Sequence, residues 1–258
     1  MKKVYKYIYG PVSSWRLGSS LGVDPISVDK GKVCSFDCIY CQVGKTRHFS
    51  GTRKIFIPTE KILQEIKSLP PVKMDYITFS GAGEPTLAKN LGKLIKEIRK
   101  IRKTKIAVIT NSTLMNKKDV RKDLAGSDLV MAKLDAHREK LFCKMNKPIY
   151  GINFNNTIKG LKKFRKEFKK KLALQIMFTK ANKNYAKEIS ELAKSIKPDE
   201  IQLNTPLRRC RIKPLSKKEL GKLKKFFKGT NCVNVYEKKR KKVKSITVGI
   251  ANKRRGKP

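Results

Sequence analysis

Between residues 59 and 204 two hydrophobic periods take turns along the chain, and a layered α/β fold is the simplest way to satisfy both. Short β-branched runs at 76–79, 105–110, 129–134, 172–178 and 200–203 read as strands. Between them apolar residues recur at helical spacing. Thr59 is placed to cap a helix with Ile62, Leu63, Ile66 and Leu69 on one face, and Leu91, Leu94, Ile95, Ile98 and Ile101 make a second stripe. Asn116, as N-cap, and Gly126 bracket a short third helix. Ile158, Leu161, Phe164 and Phe168 mark a fourth, and Ile189, Leu192 and Ile196 a fifth. With an earlier strand at 21–26, the pattern predicts six strands and five helices in strict alternation. Such alternation implies a parallel sheet with right-handed crossovers, short of the eight units of a full barrel. The expected fold is α/β, a partial (β/α)6 TIM-like barrel over residues 1–215 with a small basic C-terminal extension over 216–258.

In the extension, Ser216 and Glu219 form a capping box that opens a helix over 220–228, ended by Gly229. Strand-like runs at 233–236 and 246–250 flank the basic run 238–242, which reads as a solvated hairpin turn. The tail at 253–258 is expected to be disordered.

The polar motifs fall just after strands: the cysteine loop after the first, Gly83 and Glu84 after the second, Asn111, Asp135, Thr179 with Lys180, and Asn204 after the next four. In a parallel barrel those positions converge on one rim. Cys34, Cys38 and Cys41 are spaced three and two residues apart, so a tight loop can point three sulfurs at one centre. Thiolates suit iron–sulfur clusters and zinc alike, and His48 would be the fourth ligand of a zinc site. Three ligands on a cubane would leave one iron open. In the segment 80–87, small residues permit close backbone approach and Glu84 offers an acceptor for an ammonium. The same residues also fit a tight strand-to-helix turn with Glu84 as its N-terminal acid.

The cysteine spacing, with Tyr40 directly before the last cysteine, resembles the signature of the radical SAM superfamily. Residues 82–84 resemble the Gly-Gly-Glu segment with which that family holds the amino group of S-adenosylmethionine (SAM), Ala82 standing for the first glycine beside Gly83 and Glu84. The resemblance implies one [4Fe–4S] cluster on Cys34, Cys38 and Cys41, with Asn111 and Asp135 helping to hold SAM. It implies reductive cleavage of SAM and hydrogen abstraction from a substrate, with a flavodoxin- or ferredoxin-like one-electron donor. Residues 10–18, Thr110 to Ser112, Leu134 to Ala136 and Leu203 to Pro206 look like the Fe–S oxidoreductase branch related to wybutosine-synthesis enzymes, over about residues 8–215. Arg209 and Cys210 stand where that branch often has Arg-Pro-Pro.

Charge bears on the partner. The chain carries 63 Lys and Arg against 20 Asp and Glu, a formal +43, which attracts polyanions at long range. tRNA or another RNA is therefore the expected substrate; a small molecule or peptide is the alternative, and an RNA-binding metal module without SAM turnover a third reading. Cys143, Cys210 and Cys232 are scattered and read as free thiols, though Cys210 lies near the rim. His137 reads as a rim hydrogen-bonding residue and Lys180 as a surface lysine. No apolar run approaches a membrane span and the N-terminus has no apolar leader core, so a soluble, unprocessed, cytoplasmic protein without a membrane partner is expected.

Overall fold

The computed structural model describes residues 5–28 and 31–247. Its main sheet has eight strands: β1 (Ile8–Ser14), β2 (Gly18–Val23), β5 (Tyr76–Phe79), β6 (Lys105–Thr110), β7 (Leu129–Lys133), β8 (Lys171–Met177), β9 (Glu200–Asn204) and β10 (Cys232–Asn234) in that spatial order. All neighbours from β2 to β10 are parallel, and β1 is antiparallel to β2. The sheet curls into a half-barrel. The expected alternation is present in β2 and β5 to β9. A second, two-stranded sheet, β3 (Lys32–Cys34) and β4 (Thr46–Phe49), carries the first cysteine.

Helices α1 (Thr59–Lys67), α2 (Leu91–Ile101), α3 (Lys118–Ala125), α4 (Glu139–Asn146), α5 (Phe154–Glu167) and α6 (Ala186–Ile196) form the outer layer. Their stripes bury as the periodicity requires: Ile62, Ile66, Leu91, Leu94 and Ile98 lose essentially all solvent contact. Two caps differ from expectation. Pro58, not Thr59, occupies the N-cap of α1, and Lys117, not Asn116, that of α3; neither gives a side-chain cap. Asn116 instead accepts from Arg121 through its carbonyl at 2.9 Å, and Gly126 closes α3 in a right-handed conformation.

The capping box at Ser216 and Glu219 is formed and opens α7 (Lys217–Lys224), which tightens into a 3₁₀ turn at Lys225–Phe227. Among the described residues, 238–242 make no hairpin turn. Strand β10 lies parallel to β9, because a helix connects them and a crossover gives parallel strands. From β10 the chain runs as a strap to the other edge of the half-barrel. Lys241 meets Asp75 at 2.8 Å, and Ile246 donates to the Gly10 carbonyl of β1 at 3.0 Å. The rest of the predicted 246–250 run, like the 253–258 tail, lies outside the described residues. No helix among the described residues is long and apolar enough to cross a membrane.

The inner face of the half-barrel is divided. Leu17, from the turn between β1 and β2, packs with Ala107, Leu129, Met131 and Ala173 as an inner apolar plug. Two residues further along their strands, Ile109 and Gln175 line the space above the plug, and Thr78 of β5 joins them. Ser20 and Thr78 share a hydrogen bond of 2.6 Å. The barrel interior is thus a cavity of about 260 Å³ instead of a filled core.

Candidate functional site

The rim formed by the strand C-termini collects the residues that the sequence singled out. β3 delivers Cys34; besides its ladder with β4, two backbone bonds tie it to the loop after β5. Val33 donates to the Ala82 carbonyl and Glu84 donates to the Val33 carbonyl, both at 3.1 Å. Gly83 sits between them at φ +147°, where a Cβ would lie 1.7 Å from the Val33 oxygen. Gly83 therefore permits two backbones to touch, and residues 82–84 clamp the cysteine loop to the barrel.

Glu84 is buried, and its carboxylate already accepts four hydrogen bonds: from the Thr86 amide and hydroxyl and the Thr110 hydroxyl on one oxygen, and from the Asn111 amide on the other. It caps the 3₁₀ turn Pro85–Leu87, so the turn reading of this motif is realised. Burial raises its pKa, and the hydrogen bonds from Asn111, Thr86 and Thr110 oppose the rise. Asn111 also donates through its side chain to Ser35 at 2.8 Å and to the Cys34 sulfur at 3.6 Å.

Asp135 lies at the centre of a second network. It accepts from the Tyr40 hydroxyl in a short bond, from the Met177 amide at 2.7 Å, from Lys133 at 3.1 Å and from the Asn146 side chain at 3.1 Å. Asn146 reaches the Cys38 sulfur as well, at 3.5 Å. Burial and the neighbouring Asp135 hold the Tyr40 hydroxyl well above its ordinary pKa, so Tyr40 stays a donor. Lys133 lies over the Tyr40 ring, 5.0 Å from its centroid.

The thiols share one cation. Lys32 is buried and donates to the Cys41 sulfur at 3.1 Å, with Asp37 at 3.9 Å. Burial opposes its charge, but Cys41, Cys34 and Cys38 together outweigh that and raise its pKa. Burial pushes Cys34 up to about 12 and Cys38 up to about 11. Buried thiols of this kind become thiolates only when a cation compensates them, which is what a metal centre supplies. The donors have the chemistry a cluster needs, three sulfurs, one ammonium, and amide N–H groups on two of the sulfurs, but among the described residues no three His, Cys, Asp or Glu side chains are grouped as a metal site.

The other sequence candidates stand apart. His48 is exposed on β4, paired in register with Val33. Cys143, Cys210 and Cys232 are free; Cys143 donates to Glu139 at 3.4 Å and Cys210 to the Ile212 carbonyl at 3.1 Å. His137 packs against Tyr185 with the rings tilted and their centroids 5.1 Å apart, and burial lowers its pKa. Lys180 is exposed. Sequence reading missed Lys32, Lys133 and Asn146. For Lys133 a signal existed: it is two residues before Asp135, the spacing that puts both on one face of a strand.

Comparison with known proteins agrees with this arrangement. A family model described as the Radical SAM superfamily matches residues 29–193. A UPF0026 protein of Synechocystis is 42% identical over 223 residues, covering 86% of this chain and 82% of its own. A UPF0026 protein of Methanocaldococcus jannaschii is 37% identical, covering 78% of this chain and 63% of its own. Among solved structures, Streptococcus suis SuiB bound to its precursor peptide SuiA superposes with a TM-score of 0.63 at 19% identity. That superposition covers 84% of this chain but 49% of SuiB, so the chain spans about half the length of that structure.

Proposed function

Since this chain belongs to the radical SAM superfamily, we propose that Cys34, Cys38 and Cys41 hold its [4Fe–4S] cluster and that it modifies a substrate inside the half-barrel by hydrogen abstraction. When bound, the cluster supplies the electron, drawn from a flavodoxin- or ferredoxin-like donor, that splits the S–C5′ bond of SAM to give the 5′-deoxyadenosyl radical. The observation that carries this reading is that buried Cys34 and half-buried Cys38 and Cys41 all act on the one buried Lys32, at the rim that also holds Glu84, Asn111 and Asp135. The chain's own part is positional. Lys32 and the amides of Asn111 and Asn146 stabilise negative charge on the sulfurs. Residues 82–84 fix the loop, and Tyr40, Ala82, Gly83, Glu84, Asn111 and Asp135 face SAM. Reconstituted wild-type protein given dithionite and SAM should form 5′-deoxyadenosine; a preparation that binds only zinc would overturn the reading.

Glu84→Gln tests the SAM contacts. It should keep the iron and weaken SAM binding about ten- to a hundredfold, the loss of a charge-assisted bond of roughly 1.5–3 kcal/mol. Equal affinity by calorimetry would leave Glu84 as a cap alone.

Residues 1–215 carry the chemistry in this proposal, and 216–258 form the extension that meets an anionic partner. The excess of 63 basic over 20 acidic residues supports tRNA as the macromolecular substrate. The log of tRNA affinity should then fall linearly with the log of salt concentration. Heparin or duplex DNA competing as well as tRNA would remove RNA specificity. The open cavity inside the half-barrel, of about 260 Å³, supports the alternative, a small-molecule substrate.

A further inference from the structure

The interior of a parallel barrel is ordinarily closed by layers of branched apolar side chains. Here such packing is densest in the plug around Leu17, and beyond it apolar residues such as Val12, Ile109 and Met177 share the cavity wall with Ser20, Thr78, Ser80 and Gln175. Three arginines reach the cavity from three separate loops: Arg16 from the β1–β2 turn, Arg208 from the segment after β9, and Arg240 from the C-terminal strap. No Asp or Glu is found among its described lining residues. Hydroxyls line it too, Tyr9 meeting Ser80 at 2.8 Å.

Gln175 adds an independent observation. It points inward from the middle of β8 with 5% of its surface exposed, and its side-chain oxygen takes Lys133 at 3.5 Å. Its Nε2 is buried in the cavity wall with no hydrogen-bond partner among the described residues. A buried N–H without an acceptor is costly, and a ligand oxygen would satisfy it.

The arginines are divided along the barrel axis. Arg208 is held by Gln42, one residue past Cys41, at 2.8 Å, which places it at the cysteine rim. Arg16 and Arg240 lie at the opposite end, where the strands begin. Arg16 stacks over Trp15 at 5.2 Å, and Lys241, next to Arg240, binds the Asp75 that precedes β5.

We infer that the barrel cavity binds a small substrate carrying an oxyanion, a phosphate or a carboxylate, with Arg16 and Arg240 as its partners at the strand-start end and Gln175 donating to it from the wall. The inference rests on the SAM-cleaving reading and names the substrate class of that site. Anchoring the charged end away from the rim leaves the uncharged end of the substrate near the cysteines. Arginine suits this task because its planar fork matches both oxyanions.

Trp15, the single tryptophan of the chain, lines the cavity and reports on it directly. Cluster-loaded protein is titrated with pyrophosphate, malonate and the neutral malonamide at constant ionic strength, following tryptophan emission and heat. Pyrophosphate or malonate should bind saturably while malonamide does not, and the tighter of the two identifies the group. Arg16→Gln and Arg240→Gln should each weaken that binding by about tenfold or more. Lys169→Gln, at an exposed lysine between α5 and β8, should bind as wild type. Malonamide binding equal to malonate, or unchanged affinity in Arg240→Gln with its melting temperature intact, overturns the inference. Iron content and 5′-deoxyadenosine are assayed on the same wild-type sample. A failure of SAM cleavage there is thereby separated from a failure of anion binding.

Discussion

Anaerobic reconstitution with iron and sulfide is expected to load about four irons per chain, and Cys34→Ala, Cys38→Ala or Cys41→Ala to abolish the cluster absorbance altogether. The size of the effect follows from the site. Among the described residues no other cysteine or histidine stands ready to replace a lost thiol: His48 is exposed on β4, and Cys143, Cys210 and Cys232 bond elsewhere or lie on other elements. Removing one thiol also leaves Lys32 as a buried ammonium with fewer compensating sulfurs. Iron and labile sulfide analysis, with visible absorbance, reads the result. Eight irons in the wild type would assign a second cluster to the scattered cysteines, and stoichiometric zinc would exclude the cluster.

Gly83→Ala is expected to have the second largest effect, and to show it without any cofactor. A methyl group at this position would sit 1.7 Å from the Val33 carbonyl oxygen and 2.8 Å from Ile26, on a backbone at φ +147°. Neither a rotamer change nor the bending of a flexible tip relieves a clash with a carbonyl. The clamp on β3 must open, losing the Val33–Ala82 and Glu84–Val33 bonds. A cost of roughly 3–5 kcal/mol, the upper range for single substitutions, should appear in urea unfolding of the apoprotein. The variant should load iron poorly even though every cysteine remains. Gly44→Ala is the control for the same loop, since a Cβ there meets nothing within 4 Å, although its φ of +104° carries its own strain. Wild-type stability in Gly83→Ala would show that the close approach does not hold the loop.

The strand and helix periods of residues 59–204 were legible because each element has one face against the core, and burial enforces the period. β1 was not legible, since its sequence, Ile-Tyr-Gly-Pro-Val-Ser-Ser, contains the residues that ordinarily end strands. It survives as an edge strand, where proline is tolerated. α4 was missed because its eight residues are half polar and have no side-chain N-cap. β10 was read into a hairpin, but its partner is β9, chosen by the apolar face of α7 and Phe227 packing against Phe178. Within the candidate site, motifs next to one another in sequence were readable, whereas Lys133 and Gln175 meet only through the register of β7 and β8, and Asn146 reaches Tyr40 and Cys38 only because the end of α4 packs on the cysteine loop. Gln175 did leave a trace: it is the one polar residue within an otherwise apolar run in β8. Asp135 illustrates the opposite case, a residue picked from a motif whose surroundings the motif could not disclose.

The strap from β10 to β1 also sets an order of events in the making of the molecule. Gly10 and Thr247, joined at its end, lie 237 residues apart, whereas Asn111 and Cys34 are 77 apart and Asn146 and Cys38 are 108 apart. A growing chain can pair β1 with β2 early and stack each new strand and helix on the last, but the strap's residues emerge after every other strand. Closing so long a loop is entropically costly and becomes favourable only once the elements between its ends are in place. The cysteine rim is therefore complete while one side of the barrel still stands open to the ribosome's surroundings, and the wall bearing Arg240 is the last part of the cavity to arrive.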